Sequence, residues 1–283
     1  MNLKNPEKIK LTQRKLCESL DLKGRMLLAT EGVNATFEGT VREINKYKKE
    51  LTKNRVFKNI VFKESESNGK AFTKLEIKVR DEVVTLGAGK FDVKKDTAKT
   101  ITATELENLY KKNEDFVVLD LRNDFEIKAG YFEKTIDPGL QNFRDLPSKI
   151  AKLKARLNDK VGQGLKDKKV VAVCTGGIRC EKATCLLKKE GFKNLYQLKD
   201  GIHTYMQKYP GRHFKGSLFV FDNRMTTSVV DFPNREVVGR CIYCNKKCER
   251  FYSNDTVRPS QKVICCRPCA KKHTEELRPC LPV

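Results

Sequence analysis

Lys169-Val-Val-Ala-Val-Cys174-Thr-Gly-Gly-Ile-Arg179 is the stretch on which the fold turns. Val170 to Val173 form a short unbroken apolar run, the pattern of a strand covered on both faces in a parallel sheet. The glycines after it end the strand, and Glu181 to Glu190 reads as the helix that follows. Phe116-Val-Val-Leu-Asp120 repeats the apolar run upstream, and Leu195-Tyr-Gln-Leu198 supplies another strand downstream. Ile101 to Lys112 reads as a helix with Thr102 and Thr104 as caps. Strands alternating with helices predict an α/β domain with a parallel sheet over residues 98–212.

Working outward, residues 1–92 carry a different rhythm. Pro6 to Leu20 has helical spacing, with Pro6 suited to a first turn. Arg25 to Thr30 and Asn34 to Phe37 read as strands joined by a turn at Glu31-Gly32, and Val41, Ile44, Lys48 and Leu51 recur as a helix. Ile60 to Lys63 and Leu75 to Val79 are extended pieces. The α-β-β-α-β order predicts a ferredoxin-like α+β unit lacking its opening strand. A linker around Gly87-Ala-Gly89 joins it to the α/β domain. After Gly216 the composition changes, and residues 213–283 form a small cysteine-rich region with too few apolar residues to hold a core without staples or a neighbour.

A chain of 283 residues exceeds one ordinary core, which agrees with two or three domains. With 39% hydrophobic and 33% charged residues it belongs among folded globular proteins rather than disordered ones. No apolar run reaches bilayer length and Met1 to Lys10 lacks a secretory core, so the expectation is a cytoplasmic protein without a membrane partner. The formal net charge of +22 attracts polyanions, nucleic acid first among them. A solvated lysine-rich surface would give the same count.

Cys174 sits where a strand gives way to a helix, so backbone N–H groups and the positive end of the helix dipole converge on its sulfur. Arg179 adds a permanent cation. Thr175, Gly176, Gly177 and Ile178 form the loop between them, and the glycines let it close without Cβ clashes. These features favour a thiolate, and with it a nucleophile. The same cradle also suits a phosphate, and a buried structural cysteine is the plain alternative. Asp120 and Arg122 fall at the C-terminal end of their strand, the edge where open α/β sheets place ligands. Asp120 is suited to orienting Arg122 or to forming a turn. Cys180 and Cys185 follow in the helix, as resolving thiols or as core.

Cys241-x-x-Cys244 and Cys266-x-x-Cys269 are separated by 21 residues, close to a zinc-ribbon spacing, with Cys248, Cys265, Cys280 and His273 nearby. Four thiolates suit a closed structural zinc site that would replace the missing core. Reduced thiols are the alternative. Lys246, Lys247, Arg250, Arg258, Lys262, Arg267, Lys271 and Lys272 surround the cluster, as an RNA-reading knuckle or a packing cap. No flavin or nicotinamide fingerprint is present, and His203, His213 and His273 are not spaced as an iron triad.

Cys174-Thr-Gly-Gly-Ile-Arg-Cys-Glu-Lys-Ala183, with Val118-Leu-Asp-Leu-Arg-Asn-Asp124 and Phe143-Arg-Asp-Leu-Pro147, resembles the rhodanese-related family of tRNA uridine hydroxylases. Gly24 to Asn34 and Phe219-Val-Phe-Asp-Asn-Arg224 extend the resemblance over almost the whole chain. The resemblance implies an acylphosphatase-like or ferredoxin-like domain, a rhodanese domain and a cysteine-rich tail. It also implies oxygen-dependent formation of 5-hydroxyuridine at the tRNA wobble position, with the family's active-site cysteine at Cys174. The chain departs from the family at its opening strand, and in having Asn254 and Pro259 where further cysteines are common. Molecular oxygen would be the co-substrate, tRNA the partner, and no organic cofactor is expected. Sulfur transfer through a Cys174 persulfide is the alternative activity, because the six-residue loop from Cys174 to Arg179 accommodates one extra sulfur better than a phosphate.

Overall fold

Local side-chain hydrogen bonds fix where the first helices begin. The computed structural model describes residues 2–155, 168–256 and 260–280. Its described residues divide into two compact units, one of residues 2–85 with Phe221–Arg224, the other within Leu86–Val220 and Met225–Cys280. Arg258 and Pro259 lie outside the described residues.

In the first unit, Asn5 accepts the Lys8 N–H at 2.9 Å and Pro6 opens α1 (Pro6–Ser19). β1 (Lys23–Ala29) runs antiparallel to β2 (Gly32–Glu38). Thr40 and Glu43 close a capping box at the start of α2 (Val41–Lys53). β3 (Leu75–Val79) pairs parallel to β1, giving the strand order β2-β1-β3. Alternation places Met26, Leu28 and Ile77 on one face, where Cys17, Leu20, Tyr47 and Leu51 of the helical side cover them. The buried Gln13 side chain accepts the Tyr47 hydroxyl at 2.8 Å through its amide oxygen.

One expectation fails here: Ile60 to Lys63 forms no strand. Ile60 and Phe62 are instead partly buried against the core. Their alternation records burial of every second side chain, which an extended segment achieves without ladder pairing.

In the second unit α3 (Val93–Asp96) precedes β4 (Lys99–Ile101), α4 (Ala103–Lys111), β5 (Phe116–Asp120) and the one-turn α5 (Asp124–Ile127). β6 (Gly130–Phe132), β7 (Thr135–Ile136), α6 (Leu146–Ala155), β8 (Lys169–Val173), α7 (Ile178–Lys189), β9 (Leu195–Leu198) and α8 (Gly201–Lys208) follow. The parallel sheet has the order β4-β9-β8-β5-β7. Phe116, Val118, Val171 and Val173 of its central strands are closed off by Leu106 of α4 and Ile202 and Tyr205 of α8. Ile101, expected to open a helix, pairs with Leu198 in β4 instead, and the Thr102 capping box starts α4 two residues later. α7 likewise starts at Ile178, three residues earlier than periodicity placed it.

β10 (Phe214–Gly216) pairs with β6, and β11 (Leu218–Phe219) with β12 (Thr226–Thr227). In the tail, β13 (Phe251–Asn254) lies between β14 (Gln261–Ile264) and β15 (Leu277–Pro279), with α9 (Arg267–Lys272) between the last two. The tail gains its core by borrowing: Phe251 meets Phe219 edge-on at 5.0 Å, and Phe219 meets Phe125 at the same separation.

Candidate active site

β8 delivers Cys174 to the C-terminal edge of the sheet, and Gly177 turns the chain into α7 with φ +93°, a conformation closed to most side chains. The Gly177 N–H donates to the Cys174 sulfur at 3.1 Å. The start of α8 fastens the loop from behind: the Ile202 N–H donates to the Cys174 carbonyl at 3.0 Å and the His203 N–H to the Thr175 carbonyl at 3.1 Å. This approach needs Gly201, where an added Cβ would lie 2.7 Å from the Cys174 carbonyl oxygen.

Cys174 is fully buried, while Gly176 at the crest of the loop is exposed. Burial opposes ionisation of the thiol. The Cys180 thiol, the Arg179 charge and the amides of Arg179 and Cys180 outweigh it and bring Cys174 down to about 6. Cys180 moves the opposite way, well above an ordinary thiol, because it is buried and interacts with the Cys174 sulfur. The arrangement therefore holds one thiolate and one thiol side by side, with the charge on Cys174.

Two buried ion pairs underlie the loop. Arg179 Nη1 and Nη2 donate to the two carboxylate oxygens of Glu126 at 2.7 and 2.9 Å. Thr175 Oγ1 also donates to Glu126, at 3.4 Å. Arg122 donates to Asp120 through Nε at 3.0 Å and through Nη2 at 2.7 Å, and to the Gly130 carbonyl at 2.7 Å. Asp120, Arg122 and Glu126 are each shielded completely from solvent.

In the tail, the sulfurs of Cys241, Cys244, Cys266 and Cys269 all lie within 4.8 Å of one another. A tetrahedron of zinc–sulfur bonds of about 2.3 Å sets sulfurs roughly 3.8 Å apart, so the cluster is of a size to hold a metal ion. Burial opposes ionisation of Cys241, yet the amides of Cys244, Cys266 and Tyr243 hold it at about 5. Cys265, 3.8 Å from Cys241 and buried, is pushed up to about 12.

Comparison with known proteins gives the second unit and the whole chain a context. Residues 1–83 match the UPF0176 acylphosphatase like domain, 102–208 the rhodanese-like domain and 215–281 the rhodanase C-terminal region. The tRNA uridine(34) hydroxylase of Bacillus licheniformis is 36% identical over 94% of this chain and 80% of its own length. The chain belongs to the tRNA uridine(34) hydroxylase family. A second member, from Aster yellows witches'-broom phytoplasma, is 37% identical over 93% of this chain and 83% of its own. A rhodanese-related protein from Thermoplasma volcanium is 24% identical over 39% of this chain and 93% of that one, with a TM-score of 0.29.

Within this hydroxylase family member the residues singled out from sequence fall in two places. Cys174, Thr175, Gly176, Gly177, Ile178 and Arg179 make the loop, and Asp120 and Arg122 lie beneath it at the end of β5. The four tail cysteines gather separately. Sequence reasoning missed Glu126, four residues after Arg122, because a charged side chain between Phe125 and Ile127 carries no local sign of a buried partner 53 positions away. It also missed Gly201, whose Asp-Gly pair after a strand was the available signal. Among the described residues no helix is long and apolar enough to cross a membrane.

Proposed function

We propose that this chain is a cytoplasmic, oxygen-dependent tRNA hydroxylase that forms 5-hydroxyuridine at the wobble position, with Cys174 as its reacting group. The observation that carries the reading is a thiol held at about 6 in a chain that matches such hydroxylases over 94% of its length. An anticodon base is already unpaired and can be splayed into a protein site at small cost. The +22 charge draws the polyanion in. Addition of the thiolate to C6 of the uracil would form an S–C bond and break the C5–C6 π bond, passing its electron pair to C5; oxygen transfer there from O2 draws two electrons from an external reductant and releases the second oxygen atom as water, and loss of the C5 proton with departure of the thiolate restores the ring. The loop amides and Arg179 keep the sulfur ionised for that attack.

Molecular oxygen is the co-substrate, and no organic cofactor is assigned. Cys241, Cys244, Cys266 and Cys269 would hold a structural zinc ion, which contributes folding energy to a tail short of core. The parts are a ferredoxin/acylphosphatase-like domain at 1–92, the rhodanese domain at 98–212 and the cysteine-rich region at 213–283.

Nucleoside mass spectrometry of total tRNA from a deletion host tests the reading. The wild-type gene should restore 5-hydroxyuridine and Cys174→Ala should not. Restoration by Cys174→Ala would remove the sulfur from the reaction, and failure of the wild type would remove the hydroxylase assignment.

A further inference from the structure

Arg179 reads from sequence as the permanent cation beside the sulfur, yet its guanidinium is committed to a carboxylate. Both terminal nitrogens face the two oxygens of a carboxylate that solvent does not reach, and Nη1 lies 3.5 Å from the Leu121 carbonyl as well. Arg122, the second cation beside the loop, is spent on Asp120 and on the Gly130 carbonyl. The remaining side chains of the loop, Thr175 and Ile178, carry no charge. We propose that Glu126 is a positioning residue: it pins Arg179 beneath the loop and so turns the site away from anionic donors and towards a neutral electrophile such as a uracil ring. This rests on Cys174 being the reacting thiolate.

The physical reason is charge accounting at close range. A fork-to-fork arginine–carboxylate pair fixes both partners in one orientation and satisfies the guanidinium edge that would otherwise grip a sulfonate or phosphate. The guanidinium still acts on the sulfur through space, and the carboxylate beside it, carrying the opposite charge, opposes that action. The charged and titratable groups on the elements packed around the loop are Arg179, Cys180, Glu181 and Lys182 of α7, Asp120 and Arg122 at the end of β5, Asp124 and Glu126 of α5, and Asp200 and His203 at the start of α8. Lys182 has a partner of its own, so an incoming oxyanion would meet the loop amides and a guanidinium already held by a carboxylate, whereas a neutral ring would not lose by that.

Thiosulfate is the probe, because its reaction with a thiolate is fully defined. The Cys174 sulfur attacks the outer sulfur of thiosulfate, the S–S bond breaks, sulfite leaves with the electron pair, and cyanide then takes the outer sulfur as thiocyanate. In purified full-length Glu126→Gln, the released guanidinium should lower KM for thiosulfate about ten-fold, the worth of one charge-assisted hydrogen bond. The thiolate absorbance of Cys174, taken as the difference from the matching Cys174→Ala protein, should titrate at lower pH than in the wild type. A purely structural role for Glu126 moves neither quantity. Should Glu126→Gln not fold, Glu126→Asp keeps the charge one methylene further back and should give smaller changes in the same directions. Wild-type KM and wild-type titration in whichever variant folds would overturn the proposal. Cellular 5-hydroxyuridine reports on the hydroxylase assignment separately, so the two can fail independently.

Discussion

Removing the thiol of Cys180 should cost Cys174 most of its ionisation near neutral pH. With Cys174 at about 6, roughly nine-tenths of it is thiolate at pH 7, against about 3% for a cysteine at about 8.5. Burial works against that state, and the Cys180 S–H is the leading contribution in its favour. A hydrogen bond to a charged group is worth about 1.5–3 kcal/mol, which is about 1–2 pH units. Cys180→Ala should therefore move the midpoint to roughly 7–8 and cut the thiolate at pH 7 to between about a half and a tenth. Ultraviolet thiolate absorbance read against pH, with the matching Cys174→Ala protein subtracted, measures this without any reagent having to reach a buried sulfur. Hydroxylation should fall two- to ten-fold at pH 7 and recover as the pH is raised, in proportion to thiolate. The depressed value is also a stability term: present in full above the unfolded cysteine value of about 8.5, it is lost as pH falls through about 6. A Cys180→Ala midpoint still at 6, or a wild-type midpoint above 8, would refute the reasoning.

Arg122→Met leaves Asp120 buried without its fork of donors and should destabilise the rhodanese unit by about 3–5 kcal/mol, read as a lower urea midpoint; a loss under about 1 kcal/mol would contradict the burial of that pair. Cys266→Ser should abolish stoichiometric zinc in protein assayed with a colorimetric chelator and lower the melting temperature, and unchanged zinc content would remove Cys266 from the ligand set.

Much of the fold was legible because its signals are local. Continuous apolar runs at Phe116–Asp120 and Lys169–Val173 became adjacent parallel strands, since only a doubly covered strand tolerates hydrocarbon on both faces. Pro6 and Thr102 marked helix starts, Thr102 through a hydrogen bond that spans three residues. Ile60 to Lys63 misled because alternation measures burial and says nothing of a pairing partner.

The chain's order of residues by itself determined that a cysteine would follow a buried strand, precede a helix and lie five positions before an arginine, and that four other cysteines would come in two pairs. Only the tertiary structure decided what surrounds that sulfur. Glu126 reaches Arg179 across 53 positions of sequence, and Gly201 reaches the Cys174 carbonyl across a helix and a strand, α7 and β9. Such contacts depend on how the sheet stacks its neighbours. Charge on a buried atom is set by whatever lies within a few ångströms, and sequence distance carries no record of that.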